Sequence, residues 1–158
     1  MAIEFRINHP VTADDFIDLL ESSTLGERRP IHDRGCIEGM VSNSNLIVSA
    51  WDGPLLIGIA RSVTDFHYAC LLSDLAVHKD YQRSGIGKRL QSLTREQLGP
   101  RCKVIIIAAP AAKSYYGQVG YVHNGYCWVL DPGASIKSGR GAGRSWTLKG
   151  AGSVPPSQ

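Results

Sequence analysis

One stretch narrows the folds open to this chain more than any other. Leu71 to Val77 is a mostly apolar run that reads as the end of a long strand, Phe66 to Val77. His78 to Gly87 follows as a polar turn carrying Gly85 and Gly87. Lys88 to Leu98 then has helical patterning, and Gly99-Pro100 stops it. Lys103 to Ala108 contains the run Val104-Ile105-Ile106-Ile107, which suits a central strand covered on both faces. Strand, glycine turn, helix and strand in this order require a sheet with a helix crossing over it.

The flanking sequence extends that sheet. Ile3, Phe5 and Ile7 alternate with polar residues, as in a half-buried strand. Thr12 is a good helix N-cap, with Asp14 and Asp15 in the first turn and Phe16, Ile17, Leu19 and Leu20 as the apolar face. Ser22 to Pro30 reads as a loop holding Arg28 and Arg29, and a short helix is expected from about Asp33 to Val41. Leu46 to Trp51 and Leu55 to Val63 are strands joined at Asp52-Gly53. Ala111 to Val119 is a short helix candidate. Val122-His123 and Tyr126 to Leu130 flank Asn124-Gly125, a strong hairpin signal. The order β-αα-βββ-α-β-α-ββ predicts an α+β fold with about seven strands and four helices. Trp51 and Trp128 are expected in the core.

Residues 1–132 carry this patterning and predict one domain. Residues 133–158 are rich in Gly, Ser and Pro and predict a disordered tail. The formal net charge is +3, but Lys137, Arg140, Arg144 and Lys149 lie in the tail, which has no acid. The body is therefore close to neutral, which argues against a dedicated nucleic-acid surface. No run of eighteen apolar residues predicts a membrane span, and the first eight residues lack signal-peptide order. Cys36, Cys70, Cys102 and Cys127 form no CxxC pair, and the five histidines have no ligand spacing. Reduced thiols, no metal site and a cytoplasmic location are the expectations.

The chemistry concentrates in Gln82-Arg83-Ser84-Gly85-Ile86-Gly87-Lys88. Glycines at a helix start let backbone N–H groups approach an anion, and the helix dipole favours negative charge there. Arg83 and Lys88 add cations. A Walker A loop is excluded, because Arg89 follows Lys88 and the upstream glycine position holds Tyr81 or Gln82. A Rossmann fingerprint is excluded by Leu90 at the third glycine position.

Gln82 to Gly87 matches the Q/R-x-x-G-x-G/A signature, and Tyr115-Tyr116-Gly117-Gln118-Val119-Gly120-Tyr121 resembles the segment "F-Y-x-x-x-G-F". Together, about thirty residues apart with a helix and a strand between, they resemble the GCN5-related N-acetyltransferase (GNAT) superfamily. The resemblance is close from about Leu71 to Tyr121. It implies a mixed, mostly antiparallel sheet whose strands splay at a CoA cleft, acetyl-CoA as acyl donor, and a primary amine as acceptor.

Carried over residue by residue, the resemblance places backbone groups of Leu75, Ala76 and Val77 on the pantetheine arm. Backbone N–H groups from Gln82, Arg83, Ser84, Gly85, Ile86, Gly87 and Lys88 would hold the pyrophosphate. Tyr116 matches the tyrosine that protonates the departing thiolate. Two departures stand out. Ala112, Lys113 and Ser114 stand where many relatives have Asn, and the Val104 strand lacks the acid that often serves as base. Asp74 is then the nearest acid and the candidate base, acting through a water, with Ser73 on the opposite strand face; the alternative is that no dedicated base exists and the amine arrives partly deprotonated. Leu72-Ser73-Asp74-Leu75 and the Ala-Ala-Pro-Ala-Ala link before Tyr116 resemble compact arylalkylamine acetylases of plant and cyanobacterial type, which implies a small-molecule amine. Acetylation of a protein N-terminus, a lysine or a tRNA-linked amine is the alternative, as is a non-catalytic acyl-CoA-binding module. A nucleic-acid or membrane partner is not expected, and a homodimer is allowed.

Overall fold

The computed structural model describes residues 2–137, 143 and 145–150. The chain divides into two units, 1–122 and 123–158. The first holds every α-helix and strand among the described residues: β1 (Glu4–Ile7), α1 (Ala13–Ser22), α2 (Arg34–Ser42), β2 (Leu46–Asp52), β3 (Leu55–Thr64), β4 (Ala69–Val77), α3 (Ile86–Glu96), β5 (Lys103–Ile105) and α4 (Lys113–Gln118), with short 3-10 turns at Leu25–Arg28, Lys79–Tyr81 and Pro110–Ala112.

The sheet has the order β1-β2-β3-β4-β5. The first four strands pair antiparallel, and β4 pairs with β5 in parallel. One core cluster lies on the α1 side and includes Phe16, Leu19, Leu20, Ile37 and Ile59. The other lies on the α3 side and includes Val48, Ile57, Leu72, Ile86 and Leu90. The helices therefore cover both faces of a single sheet.

Local chemistry sets the helix starts. The Thr12 hydroxyl accepts from the Asp15 N–H at 3.1 Å, while the Asp15 carboxylate accepts from the Thr12 N–H at 3.1 Å, a reciprocal capping box. Asp33 caps α2 by accepting from the Cys36 N–H at 3.0 Å. Gly58 decides how closely α3 can approach β3. A Cβ there would lie 3.1 Å from both Ile86 Cγ2 and Leu90 Cδ1, so only hydrogen fits without repacking.

The sheet has five strands rather than the expected seven or so. The hairpin expected around Asn124-Gly125 is absent, and 122–130 has no strand. Val122, Tyr126 and Trp128 are 91%, 88% and 91% exposed. The segment buries no face, and a two-stranded ribbon without one is not stable in water. Trp128 is thus not a core residue, whereas Trp51 is buried. The Val104 run also differs from its reading. Its strand is three residues long and lies at the sheet edge, with Ile105 and Ile107 exposed. Continuous β-branched sequence marks strand propensity but not position within a sheet.

In the second unit the described residues form only turns, with the Tyr126 N–H donating to Asn124 Oδ1 and the Ala134 N–H to the Asp131 carbonyl. The expectation of a disordered tail falls largely on 138–142, 144 and 151–158, outside the described residues. No helix among the described residues is long and apolar enough to cross a membrane.

Replacing Gly58 with valine is expected to destabilise the fold by about 1–3 kcal/mol through overpacking against α3. Urea unfolding measures this, and an unchanged midpoint would show that α3 moves away freely.

Candidate active site

The site begins where β4 and β5 part. Their pairing covers only Ala69 with Lys103, Cys70 with Val104, and Leu71 with Ile105. Beyond Leu71 the edge of β4 has no strand beside it. A cleft of about 300 Å³ opens there, lined by Leu25, Arg28, Arg29, Leu72, Ser73, Leu75, Ile106, Ile107 and Tyr116 among others. The His78 N–H bonds back to the Ile57 carbonyl, so its residue faces β3. The Val77 carbonyl accepts instead from Gln82 Nε2 at 3.0 Å, on the other edge. With a period of two, the N–H and C=O of Leu75 face the cleft edge with those of Val77, and those of Ala76 face β3.

The glycine turn follows β4 directly. Arg83 and Gly85 have φ of +58° and +87°, a left-handed pair that only glycine adopts without cost. Gly85 is the N-cap of α3 and offers no side chain to the first helical N–H groups. The helix begins at Ile86, two residues before its expected start, and its first turn contains no acid. Ser84 donates back to the Tyr81 carbonyl. Tyr81 in turn donates to Asp52 Oδ2 at 2.6 Å, which ties the turn to the β2–β3 hairpin. A Cβ on Gly87 would point at the Tyr115 hydroxyl, 3.6 Å away, and Val77 Cγ2, 3.8 Å away. These uncapped N–H groups, with Arg83 and Lys88 adjacent in the chain, could hold an anion.

Tyr116 reaches the cleft because of how α4 ends. The Tyr121 N–H bonds to the Tyr116 carbonyl at 3.0 Å, and the Gly120 N–H bonds to the Gly117 carbonyl at 3.4 Å. Gly120 has φ +105°. This is a Schellman motif, and its usual apolar contact is the Tyr116–Tyr121 edge-to-face pair at 5.5 Å. The glycine four residues after Tyr116 thus fixes both rings. Tyr115 packs on Tyr116 at 5.3 Å. Burial pushes the Tyr116 phenol above its ordinary value, Tyr115 adds to this, and Arg29 opposes it. Burial also pushes Tyr121 up to about 12.

Asp74 does not line the cleft. It is 0% exposed, and its two oxygens accept from Arg29 Nε and Arg61 Nε, each at 2.5 Å. Ser73 belongs to the same group. Its hydroxyl bonds to the Arg61 guanidinium at 3.0 Å and its carbonyl accepts from Arg29 at 3.1 Å. The expected opposition of Ser73 and Asp74 across the strand fails for a definite reason. Arg61 pairs with Asp74 but Ser62 pairs with Leu72, so Ser73 is an extra residue in a β-bulge. The bulge sends Leu72 to the α3 side and Asp74 to the α1 side, and lets one arginine reach two consecutive residues.

A family model described as an acetyltransferase (GNAT) domain matches residues 27–126. The chain belongs to the GNAT acetyltransferase family. An uncharacterized N-acetyltransferase, ycf52-like, of Prochlorococcus marinus is 32% identical over 127 residues, 73% of this chain and 65% of its own length. The chain thus spans less than two thirds of that relative. A GNAT-family acetyltransferase from Streptococcus pneumoniae has the same fold, with a TM-score of 0.66, 23% identity, and coverage of 82% of this chain and 98% of its own. An aminoglycoside N-acetyltransferase, AAC(6')-Iy, solved in complex with CoA, aligns with a TM-score of 0.62 and 13% identity over 82% of this chain and 94% of its own.

As a GNAT domain this chain has two residues that sequence reasoning passed over. Arg29 reads in the sequence only as a loop residue, and Arg61 is not singled out at all. A signal existed for Arg61: an arginine inside the apolar run Leu55 to Thr64 requires a buried partner. The sequence could not say that the partner is Asp74, because the bulge sets that register.

Asp74→Asn keeps the side-chain shape but leaves two guanidinium groups without their counter-ion. The expected loss of stability is about 3–5 kcal/mol, read by denaturant unfolding. A carboxylate acting only as a base would leave stability unchanged.

Proposed function

We propose that this chain transfers the acetyl group of acetyl-CoA to a primary amine by direct attack, with a small-molecule amine as acceptor. The observation that carries the reading is the position of Tyr116, a half-buried phenol on the wall of the cleft where β4 and β5 separate. The uncapped glycine turn supports the cofactor, since its N–H groups and cations suit a pyrophosphate and nothing in the first turn of α3 repels one.

Acetyl-CoA supplies the thioester. The turn from Gln82 to Lys88 binds the phosphates through backbone N–H groups. Leu75, Ala76 and Val77 line the route of the pantetheine arm, with Leu75 N–H and C=O on the open edge. The amine nitrogen forms a bond to the acetyl carbonyl carbon, and the C–S bond breaks with its electron pair on sulfur. The Leu75 N–H stabilises negative charge on the carbonyl oxygen. The Tyr116 O–H gives its proton to sulfur, the proton lost by nitrogen goes to water, and solvent restores the phenol.

Asp74 fits a different part from the base expected of it. Both oxygens are engaged by guanidinium donors and neither meets solvent. We assign it the positioning of Arg29 against the cleft. The amine then reacts in its neutral form, which the adjacent Arg29 favours by like-charge repulsion of the ammonium.

Tyr116→Phe is expected to lower kcat about 100-fold with the KM for acetyl-CoA unchanged. The raised Tyr116 phenol remains protonated through the neutral range, so wild-type kcat holds until the pH passes the ordinary value of 10. Thiol release against pH reads both. Full kcat in the phenylalanine variant, or a wild-type kcat that falls on raising the pH from a point below 9 with the fold intact, contradicts the assignment.

A further inference from the structure

The charges around the cleft do not balance. Arg29 and Arg61 share one carboxylate, so the buried group keeps one net positive charge. Arg29 brings that charge to the cleft wall, where its effect on the Tyr116 phenol is felt. Each nitrogen of the Arg29 guanidinium already makes one bond: Nε to Asp74, one terminal nitrogen to the Ser73 carbonyl, and the other to the Arg28 carbonyl. Arg28 differs. It is exposed, lines the same cleft, and among the described residues its guanidinium has neither an ion pair nor a hydrogen bond. Among the described residues no acid lines the cleft. Apart from Ser73 and Tyr116 the remaining wall is apolar, with Leu25, Leu71, Leu72, Leu75, Ile106 and Ile107.

Such a cleft attracts an anion and repels a second cation. A guanidinium with its donors free matches a carboxylate in bidentate geometry. We propose that the acceptor is a small amine carrying a carboxylate beside its amino group on an apolar body, and that Arg28 binds the carboxylate. The proposal rests on the acetyl-transfer reading above. It leaves the bonds made and broken in the transfer unchanged. The acetyl end of the donor takes the Leu75 edge of the cleft, and the acceptor takes the part beside Leu25 and Arg28. Arg28 holds the carboxylate, the leucine and isoleucine side chains hold the apolar body, and Arg29 keeps the nearby nitrogen unprotonated. Selectivity then comes from charge: an amine lacking the carboxylate leaves Arg28 unpaired in a site closed by the acceptor.

The test compares phenylalanine with phenethylamine, which differ only in the carboxylate, in wild type and in Arg28→Gln and Arg28→Glu. Acetyl-CoA binding is followed in parallel by thermal shift. Wild type is expected to favour phenylalanine at least tenfold in kcat/KM. Arg28→Gln should shrink that ratio at least fivefold, and Arg28→Glu should reverse it. Because the ratio is compared between proteins, the intrinsic reactivity of the two amines cancels. Arg28 is exposed, and unchanged melting temperatures check that the variants fold. A wild-type preference for phenethylamine, or a ratio unmoved by either substitution, overturns the proposal. So does acetylation of neither amine while acetyl-CoA still raises the melting temperature, and in that case acyl-CoA binding stands. No shift with acetyl-CoA overturns the acetyl-transfer reading itself.

Discussion

The structure depends on one buried carboxylate. Asp74 has left water entirely, a change that is costly unless strong donors replace the lost hydration. Two arginines supply them, and each comes from a different part of the chain. Arg61 comes from the neighbouring strand, and Arg29 from the loop after α1. The carboxylate therefore ties the short 3-10 turn Leu25–Arg28, through the residue that follows it, to the middle of the sheet. Arg61 also reaches the Ser44 hydroxyl at 2.9 Å, which adds the connection after α2. The bulge at Ser73 makes this geometry reachable, because without it Asp74 and Leu72 would share a face.

The same bulged strand forms one wall of the cleft. Its partner β5 leaves after three pairs, so backbone groups on the edge of β4 face open space rather than another strand. Two glycine-dependent helix ends, in contact through the Tyr115 hydroxyl, border the site. Gly85 starts α3 without a side-chain cap and leaves N–H groups for a ligand. Gly120 ends α4 in a closed Schellman motif and fixes Tyr116. Both glycines have positive φ; the α3 start is left open because Gly85 has no capping side chain, and the α4 end is closed by the backbone bonds of the Schellman motif.

Much of this was legible because it is local. The capping box at Thr12, the stop at Gly99-Pro100, the glycine turn and the Tyr116-to-Gly120 spacing each need only a few consecutive residues. What the sequence hid was relational. The run at Val104 has central-strand chemistry but lies at an edge, since strand position is decided by partners far away in the chain. The Asn124-Gly125 turn signal is strong, yet its flanks bury nothing, and turn propensity alone does not hold two strands together. Asp74 looked like a base because its strand ran through the expected acetyl site. Only the one-residue register shift reveals that it faces Arg61 instead.

The central claim is that Asp74 acts on the cleft through Arg29 and not as a base. A double-mutant cycle with Arg29→Met and Asp74→Asn tests it most directly, reading kcat/KM for acetyl transfer and the unfolding free energy together. The account predicts strong coupling, with the double variant no worse in kcat/KM than Asp74→Asn alone and the pair recovering more than 1 kcal/mol of stability relative to additivity. Additive losses in both quantities would contradict it, because they would mean that each residue acts by itself.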